Sequence, residues 1–102
     1  DCEQVTTPRV AEGNTLIYHQ YTLRAQRRGE LREHLTSCGV ASGVYYPLCL
    51  HQQPCFADLG YSAGDFPEVE RAAREVISLP VHPELSDEQI SCVAESVREF
   101  YG

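Results

Sequence analysis

The chain has 102 residues, of which 42% are hydrophobic and 23% are charged, and its formal net charge at pH 7 is −7. A chain of this length buries roughly two thirds of its unfolded surface, so we expect one small domain or a piece of a larger protein. The acidic balance repels a phosphate backbone, and no apolar run approaches the ~20 residues of a membrane span, so neither nucleic acid nor membrane is an expected partner.

The numbers of cysteine and lysine residues limit the possible function further. The five cysteines are odd in number and include no C-x-x-C pair, and nothing resembles a signal peptide, so we expect a reduced, cytoplasmic setting for a soluble protein. All eight basic residues are arginine, and lysine is absent. The start at "DCEQ", without an initiating methionine, suggests a processed or excised piece.

The first quarter of the chain predicts an arm followed by a strand. Residues 1–14 are polar and contain turn formers, so they are interpreted as a connecting arm. "TLIYHQYTLRA" (residues 15–25) alternates with period two, which indicates a half-buried strand. His19 has apolar neighbours on this strand, so we interpret it as a hydrogen-bonded core histidine rather than as a residue that contacts a ligand.

A helix and a weaker strand are predicted next. "RRGELREHLTSCG" (residues 27–39) places Leu31 and Leu35 at helical spacing, and a glycine follows where a C-terminal cap is expected. "VASGVYYP" (residues 40–47) is a candidate second strand, weakened by Gly43.

Residues 47–65 show no periodicity and are rich in proline, glycine, serine and aromatic rings. Irregular loops of this length in compact domains are usually functional or disordered, and the aromatic content argues against disorder. We therefore expect an ordered loop with a function.

The last third of the chain predicts helix, strand and helix. Asp65 and Glu68 have capping-box spacing, and an apolar stripe follows them. "VISLPVHP" (residues 76–83) indicates a short buried strand, and Ser86 with Gln89 repeats the capping signal before a terminal helix. The fold class is therefore α+β, with a small sheet of about three strands and helices packed mainly on one face.

Simple catalytic and metal sites find little support in the residue spacing. Cys49 and His51 are near neighbours, but the loop supplies no orienting carboxylate or oxyanion hole for a nucleophilic pair. His51, His82 and the scattered cysteines lack the usual zinc-ligand spacings, so no metal site is predicted.

The loop can instead bind a hydroxylated ligand. Tyr45, Tyr46, His51 and Gln53 combine ring surface with directional hydrogen-bonding groups, as binding pockets require. The residues alone leave an equal alternative open, in which Tyr46 and Phe56 merely anchor the loop on the sheet.

Five stretches together resemble the C-terminal part of DegT/DnrJ/StrS-type sugar aminotransferases across nearly the whole chain. They are "YHQYTLR", "RGELREHLTSCGV", "GVYYPLCLHQQPCFADLGY", "GDFPEVERAAREVISLPVHPEL" and "SDEQISCVAESVREFY". The resemblance implies that residues 15–102 form the small C-terminal domain of a pyridoxal phosphate (PLP) enzyme of the aspartate aminotransferase fold type. It also implies a homodimer that transfers an amino group, commonly from glutamate, to a nucleotide-linked keto-sugar for polysaccharide or antibiotic-sugar synthesis.

The same resemblance divides the chemistry between this chain and a large PLP-binding domain that it lacks. Without lysine the chain cannot supply the Schiff-base amine, so we expect no catalytic residue here, no cofactor bound by the fragment and no activity from it alone. By position, His51 corresponds to the family's loop histidine on the substrate side and Tyr46 to the preceding tyrosine, while Tyr45 stands where many members have histidine. The predicted substrate-binding residues are Tyr45, Tyr46, His51, Gln53, His19 and Tyr21. The alternative is a free-standing, non-catalytic binding or interaction module derived from this domain.

Overall fold

The computed structural model describes residues 2–102 and contains six main helices and strands in that range. They are β1 (Val5–Thr6), β2 (Tyr21–Ala25), α1 (Arg28–Ser37), α2 (Pro67–Glu75), β3 (Val76–Leu79) and α3 (Asp87–Tyr101). Two short 3₁₀ helices, Leu50–Gln52 and Pro54–Leu59, lie between α1 and α2. Within these residues, no helix has both the length and the apolar character needed to cross a membrane.

The three strands form one antiparallel sheet in the order β1-β2-β3, which confirms the predicted α+β class. The third strand is not the predicted segment 40–47, however, but β1 from within the connecting arm. Segment 40–47 contributes a single bridge, in which Gly43 and Ser78 exchange two backbone hydrogen bonds of 3.0 and 2.7 Å. Pro47 has no backbone N–H with which to extend that pairing.

The predicted strand over residues 15–25 is wrong in its first half. The backbone of Tyr18 has φ 47°, in the left-handed region, so extended structure is interrupted there and β2 begins only at Tyr21. Ile17 is consequently 91% exposed. His19 is also exposed, so its interpretation as a core histidine is wrong.

The hydrophobic core lies between one face of the sheet and helices α1 and α3. Leu31 and Leu35 of α1 and Ile77 of β3 have no exposed surface. The remaining core residues are Leu23, Ala25, Val40 and Val97. Since burying each large side chain contributes about 1.5–3 kcal/mol, this cluster accounts for much of the favourable energy of the fold.

The two predicted capping boxes have different outcomes. Ser86 and Gln89 form one before α3, with backbone-to-side-chain hydrogen bonds of 3.2 and 3.0 Å. At α2 the prediction is wrong, because the helix begins at Pro67 and has Phe66 at its N-cap. Asp65 instead accepts a 2.7 Å hydrogen bond from the backbone N–H of Ser62 and closes the preceding turn.

Candidate functional site

Tyr45 stands between two surface cavities and lines both of them. The first, here called the polar cleft, has a volume of about 430 Å³. The second, here called the apolar groove, has a volume of about 240 Å³. The polar cleft is lined by His19, Gln20, Ala41, Ser42, Gly43, Tyr45, Ser78, Leu79, Pro80 and Val81. The apolar groove is lined by Tyr45, Tyr46, Leu48, Cys49, Leu50, Gln53, Val69, Ala72, Ala73 and Val76.

Gly43 sets the position of the Tyr45 ring. A Cβ atom at residue 43 would lie 2.7 Å from the ring and the hydroxyl of Tyr45, closer than real Cβ contacts come. The backbone of Gly43 is also fixed by its bridge to Ser78 in β3. A glycine at this point therefore lets the tyrosine fold back over the chain and form the wall shared by the two cavities.

Ser42 brings an uncommitted hydroxyl to the polar cleft. Its Oγ atom is buried and has no hydrogen-bond partner among residues 2–102. The other serine of the cleft is already used, since Ser78 Oγ lies 2.8 Å from Thr22 Oγ1 across the β2–β3 pair. A serine hydroxyl can donate one hydrogen bond and accept two. Because the Oγ atom of Ser42 has almost no exposed surface, its side chain has to rotate before it can contact a ligand in the cleft. Sequence reasoning missed Ser42, because a serine beside glycine carries no distinctive pattern.

His51 does not line either cavity, in contrast to Tyr45, Tyr46 and Gln53. Its side chain is 7% exposed, its Nε2 atom lies 2.8 Å from Oε1 of Glu70, and its ring packs against Phe66 at 4.9 Å. His51 thus joins the first 3₁₀ helix to α2.

Glu70 is the centre of this connection. Its carboxylate forms the hydrogen bond with His51 and also accepts a 2.7 Å hydrogen bond from the backbone N–H of Gly64. The hydrogen bond to His51, followed by that from Gly64, holds the pKa of Glu70 below its usual value. An ionised carboxylate can only accept hydrogen bonds, so His51 Nε2 is the donor in this pair.

The remaining predicted residues fall into two groups. Tyr46, which is 74% exposed, and the half-buried Gln53 join Tyr45 at the apolar groove. His19 joins Tyr45 at the polar cleft. Tyr21 lies apart from both cavities, on β2, where it packs against the edge of the core. The structure therefore brings four of the six predicted residues to the two cavities and leaves His51 and Tyr21 outside them.

Sequence and structure comparisons assign the family. Residues 1–98 match the sequence profile of the DegT/DnrJ/EryC1/StrS aminotransferase family, and the chain belongs to that family. It is 52% identical over 97 residues to a pleiotropic regulatory protein of Geobacillus stearothermophilus, a match that covers 95% of this chain and 26% of the relative. It is 37% identical over 93 residues to dTDP-3-amino-3,4,6-trideoxy-alpha-D-glucose transaminase of Streptomyces venezuelae, covering 91% of this chain and 24% of the relative.

The fold is similar to that of solved aminotransferase structures of the same family. The crystal structure of S. venezuelae DesV, solved in complex with a ketimine intermediate, superposes with a TM-score of 0.91 at 35% identity. The match covers 96% of this chain and 26% of DesV. The resemblance found in the sequence is thereby confirmed, and the chain spans about a quarter of the length of the relatives it matches.

Proposed function

We propose that this chain is the small-domain portion of a PLP-dependent aminotransferase that transfers an amino group to a nucleotide-linked keto-sugar, with glutamate as the donor. Residues 15–102 form most of the domain, and the arm over residues 1–14 leads into it and adds strand β1 to its sheet. Membership of the aminotransferase family and the named activity of the S. venezuelae relative support the reaction class. The quarter-length coverage supports a division of labour with a larger domain.

The residues of this chain do not fit the cofactor. Covalent attachment of PLP requires a side-chain amine, and the chain contains eight arginines and no lysine. Arginine cannot take over that role, because its guanidinium group stays protonated. We therefore assign cofactor binding to the rest of the protein and restrict the role of this chain to the substrate.

The proposal that this chain binds the substrate rests on the two cavities on either side of Tyr45. A sugar presents hydroxyl groups at its rim and apolar C–H surface on its faces, so it needs hydrogen-bonding groups and rings side by side. His19 provides an exposed polar group in the polar cleft, and Ser42 provides a second one once its side chain rotates. In the apolar groove, Gln53 offers hydrogen bonds and the Tyr46 ring offers apolar surface. The chain can bind and orient such a substrate without touching the reacting bond.

Exposed apolar side chains of the loop support a larger assembly. Tyr46, Leu50 and Leu59 are 74%, 68% and 63% exposed. Large apolar side chains exposed in one loop are typical of a contact with another domain or subunit. We assign it to the large domain and, in a homodimer, to the second subunit.

The test uses the complete natural protein. Tyr45→Ala is expected to raise KM for the nucleotide-sugar by about tenfold or more, because the shared wall of both cavities is lost. The half-reaction with the amino donor should keep its rate, since this chain holds neither cofactor nor donor. His82→Ala, at an exposed position outside both cavities, is the control. An equal loss in both half-reactions would remove Tyr45 from the substrate wall.

The same preparation separates the enzyme from the alternative, a non-catalytic binding module. Binding of a nucleotide-sugar that depends on Tyr45, without any transamination by the complete protein, would identify a module. Amino transfer that depends on Tyr45 would identify the enzyme.

A further inference from the structure

A cluster of three potential metal ligands lies outside both cavities, where α1 meets α3. His34 lies on α1, Cys38 follows it by four residues at the C-cap of α1, and Glu99 faces them from α3. One ligand atom from each of the three side chains lies within 4.8 Å of the other two. We propose that these three residues bind a zinc-class divalent cation that links the two helices.

The distance between imidazole and thiol fits the proposed metal. His34 Nε2 and Cys38 Sγ are 3.6 Å apart. In a tetrahedral zinc site with bonds of about 2.05 Å to nitrogen and about 2.3 Å to sulfur, the two ligand atoms are about 3.6 Å apart. The i, i+4 spacing on a helix therefore already gives one edge of the tetrahedron. Rotation of the exposed Glu99 side chain closes the remaining distance, and water takes the fourth position.

The chemical types of the three ligand atoms determine which class of cation fits the site. A thiolate with an imidazole nitrogen and one carboxylate oxygen is typical of zinc and related transition metals, whereas magnesium and calcium prefer sites made of oxygen atoms. With a deprotonated thiol and an ionised carboxylate, the two negative charges neutralise the divalent ion. The site is thus complete in charge without help from other residues.

The position of the ligands within their helices favours a cation as well. Cys38 is the C-cap residue of α1, and Glu99 lies in the last turn of α3. The last carbonyl groups of a helix carry partial negative charge, which stabilises a cation placed there. The ring of Phe100 lies 5.6 Å from the ring of His34 and restrains its orientation. Cys38 and Glu99 are exposed, so the ion can enter directly from solvent.

The test is zinc binding by the complete natural protein after treatment with a chelator. We expect the unmodified protein to bind one equivalent of Zn²⁺ more than the Cys38→Ser variant, measured by equilibrium dialysis and elemental analysis. His34→Gln is expected to give the same loss, and Glu99→Gln to weaken binding, because a neutral amide oxygen replaces the charged carboxylate ligand. Cys92→Ser changes another exposed cysteine, outside the cluster, and is the matched control that should keep the extra equivalent.

Cobalt gives a second readout that depends on the thiolate itself. Added Co²⁺ should produce a near-ultraviolet thiolate-to-metal charge-transfer band in the unmodified protein and in Cys92→Ser, but not in Cys38→Ser. Mg²⁺ should neither produce a response nor displace Co²⁺. Equal zinc content in the unmodified protein and in Cys38→Ser, or no cobalt band that depends on Cys38, would overturn the proposal. His34 and Cys38 would then be a hydrogen-bonded pair only.

Discussion

The helix-backed sheet and the segment 45–66, here called the aromatic segment, are stabilised in opposite ways. In the sheet region, Leu31, Leu35 and Ile77 have no exposed surface. In the aromatic segment, Tyr46 and Leu50 are 74% and 68% exposed. The core therefore uses its apolar area to hold the fold together, whereas the aromatic segment leaves much of its apolar area available for contacts with something else.

Polar contacts compensate for the missing burial in the aromatic segment. His51 contacts the carboxylate of Glu70 on α2, and Gly64 donates its backbone N–H to the same carboxylate. A segment held by a few directed contacts can present side chains in a fixed arrangement without a core beneath it. The comparison predicts that the two regions respond differently to substitution.

The largest expected effect is in the core. Leu35→Ala should lower the free energy of unfolding by about 2–5 kcal/mol, because the side chain is fully buried and its removal leaves a cavity. Leu59→Ala is the matched control in the aromatic segment, because this side chain is 63% exposed. It should change the free energy of unfolding by less than about 0.5 kcal/mol. Urea denaturation of the 102-residue chain measures both values. Similar losses in the two variants would contradict the division between the regions.

A smaller effect is expected where the two regions meet. Gly43→Ala places a Cβ atom 2.7 Å from the Tyr45 side chain, so the ring must move at a cost of about 1–3 kcal/mol. Gly29→Ala is the control, because a Cβ there meets nothing within 4 Å and alanine favours the helix. Aromatic resonances of Tyr45 should shift in the first variant only. Unchanged tyrosine resonances in Gly43→Ala would show that this glycine does not set the ring position.

The same contrast explains what the sequence can and cannot predict. α1 and α3 follow from local signals, the spacing of Leu31 and Leu35 and the capping box that begins at Ser86. β1 was missed, because two residues carry no periodicity and their pairing with β2 is a contact between distant parts of the chain. The contact between His51 and Glu70 was also missed, because residue order alone does not reveal such a partner. Local patterns therefore predict the core well, whereas the aromatic segment depends on contacts between distant residues.

The smallest expected effect is a dependence of stability on pH that originates at Glu70. Hydrogen bonds from His51 and Gly64 lower the pKa of this carboxyl in the folded state from its ordinary value of 4.5. A lowered folded pKa contributes stability above pH 4.5, and that contribution is lost as the pH falls through the folded pKa. Between pH 6 and pH 3, roughly the range over which carboxylates titrate, the urea midpoint of the unmodified chain should fall more steeply than that of Glu70→Gln.

Glu30 is the matched control for this experiment, because its pKa is also lowered, through hydrogen bonding to Arg27. That pair is exposed, so solvent and salt screen it. Glu30→Gln should therefore leave the fall of the urea midpoint between about pH 6 and pH 3 almost as steep as in the unmodified chain. Amide exchange locates the effect, since the N–H of Gly64 should exchange faster in Glu70→Gln while the amides of β2 keep their protection. Faster exchange in both places would mean that Glu70 supports the whole fold, and the aromatic segment would then not be a separately stabilised region.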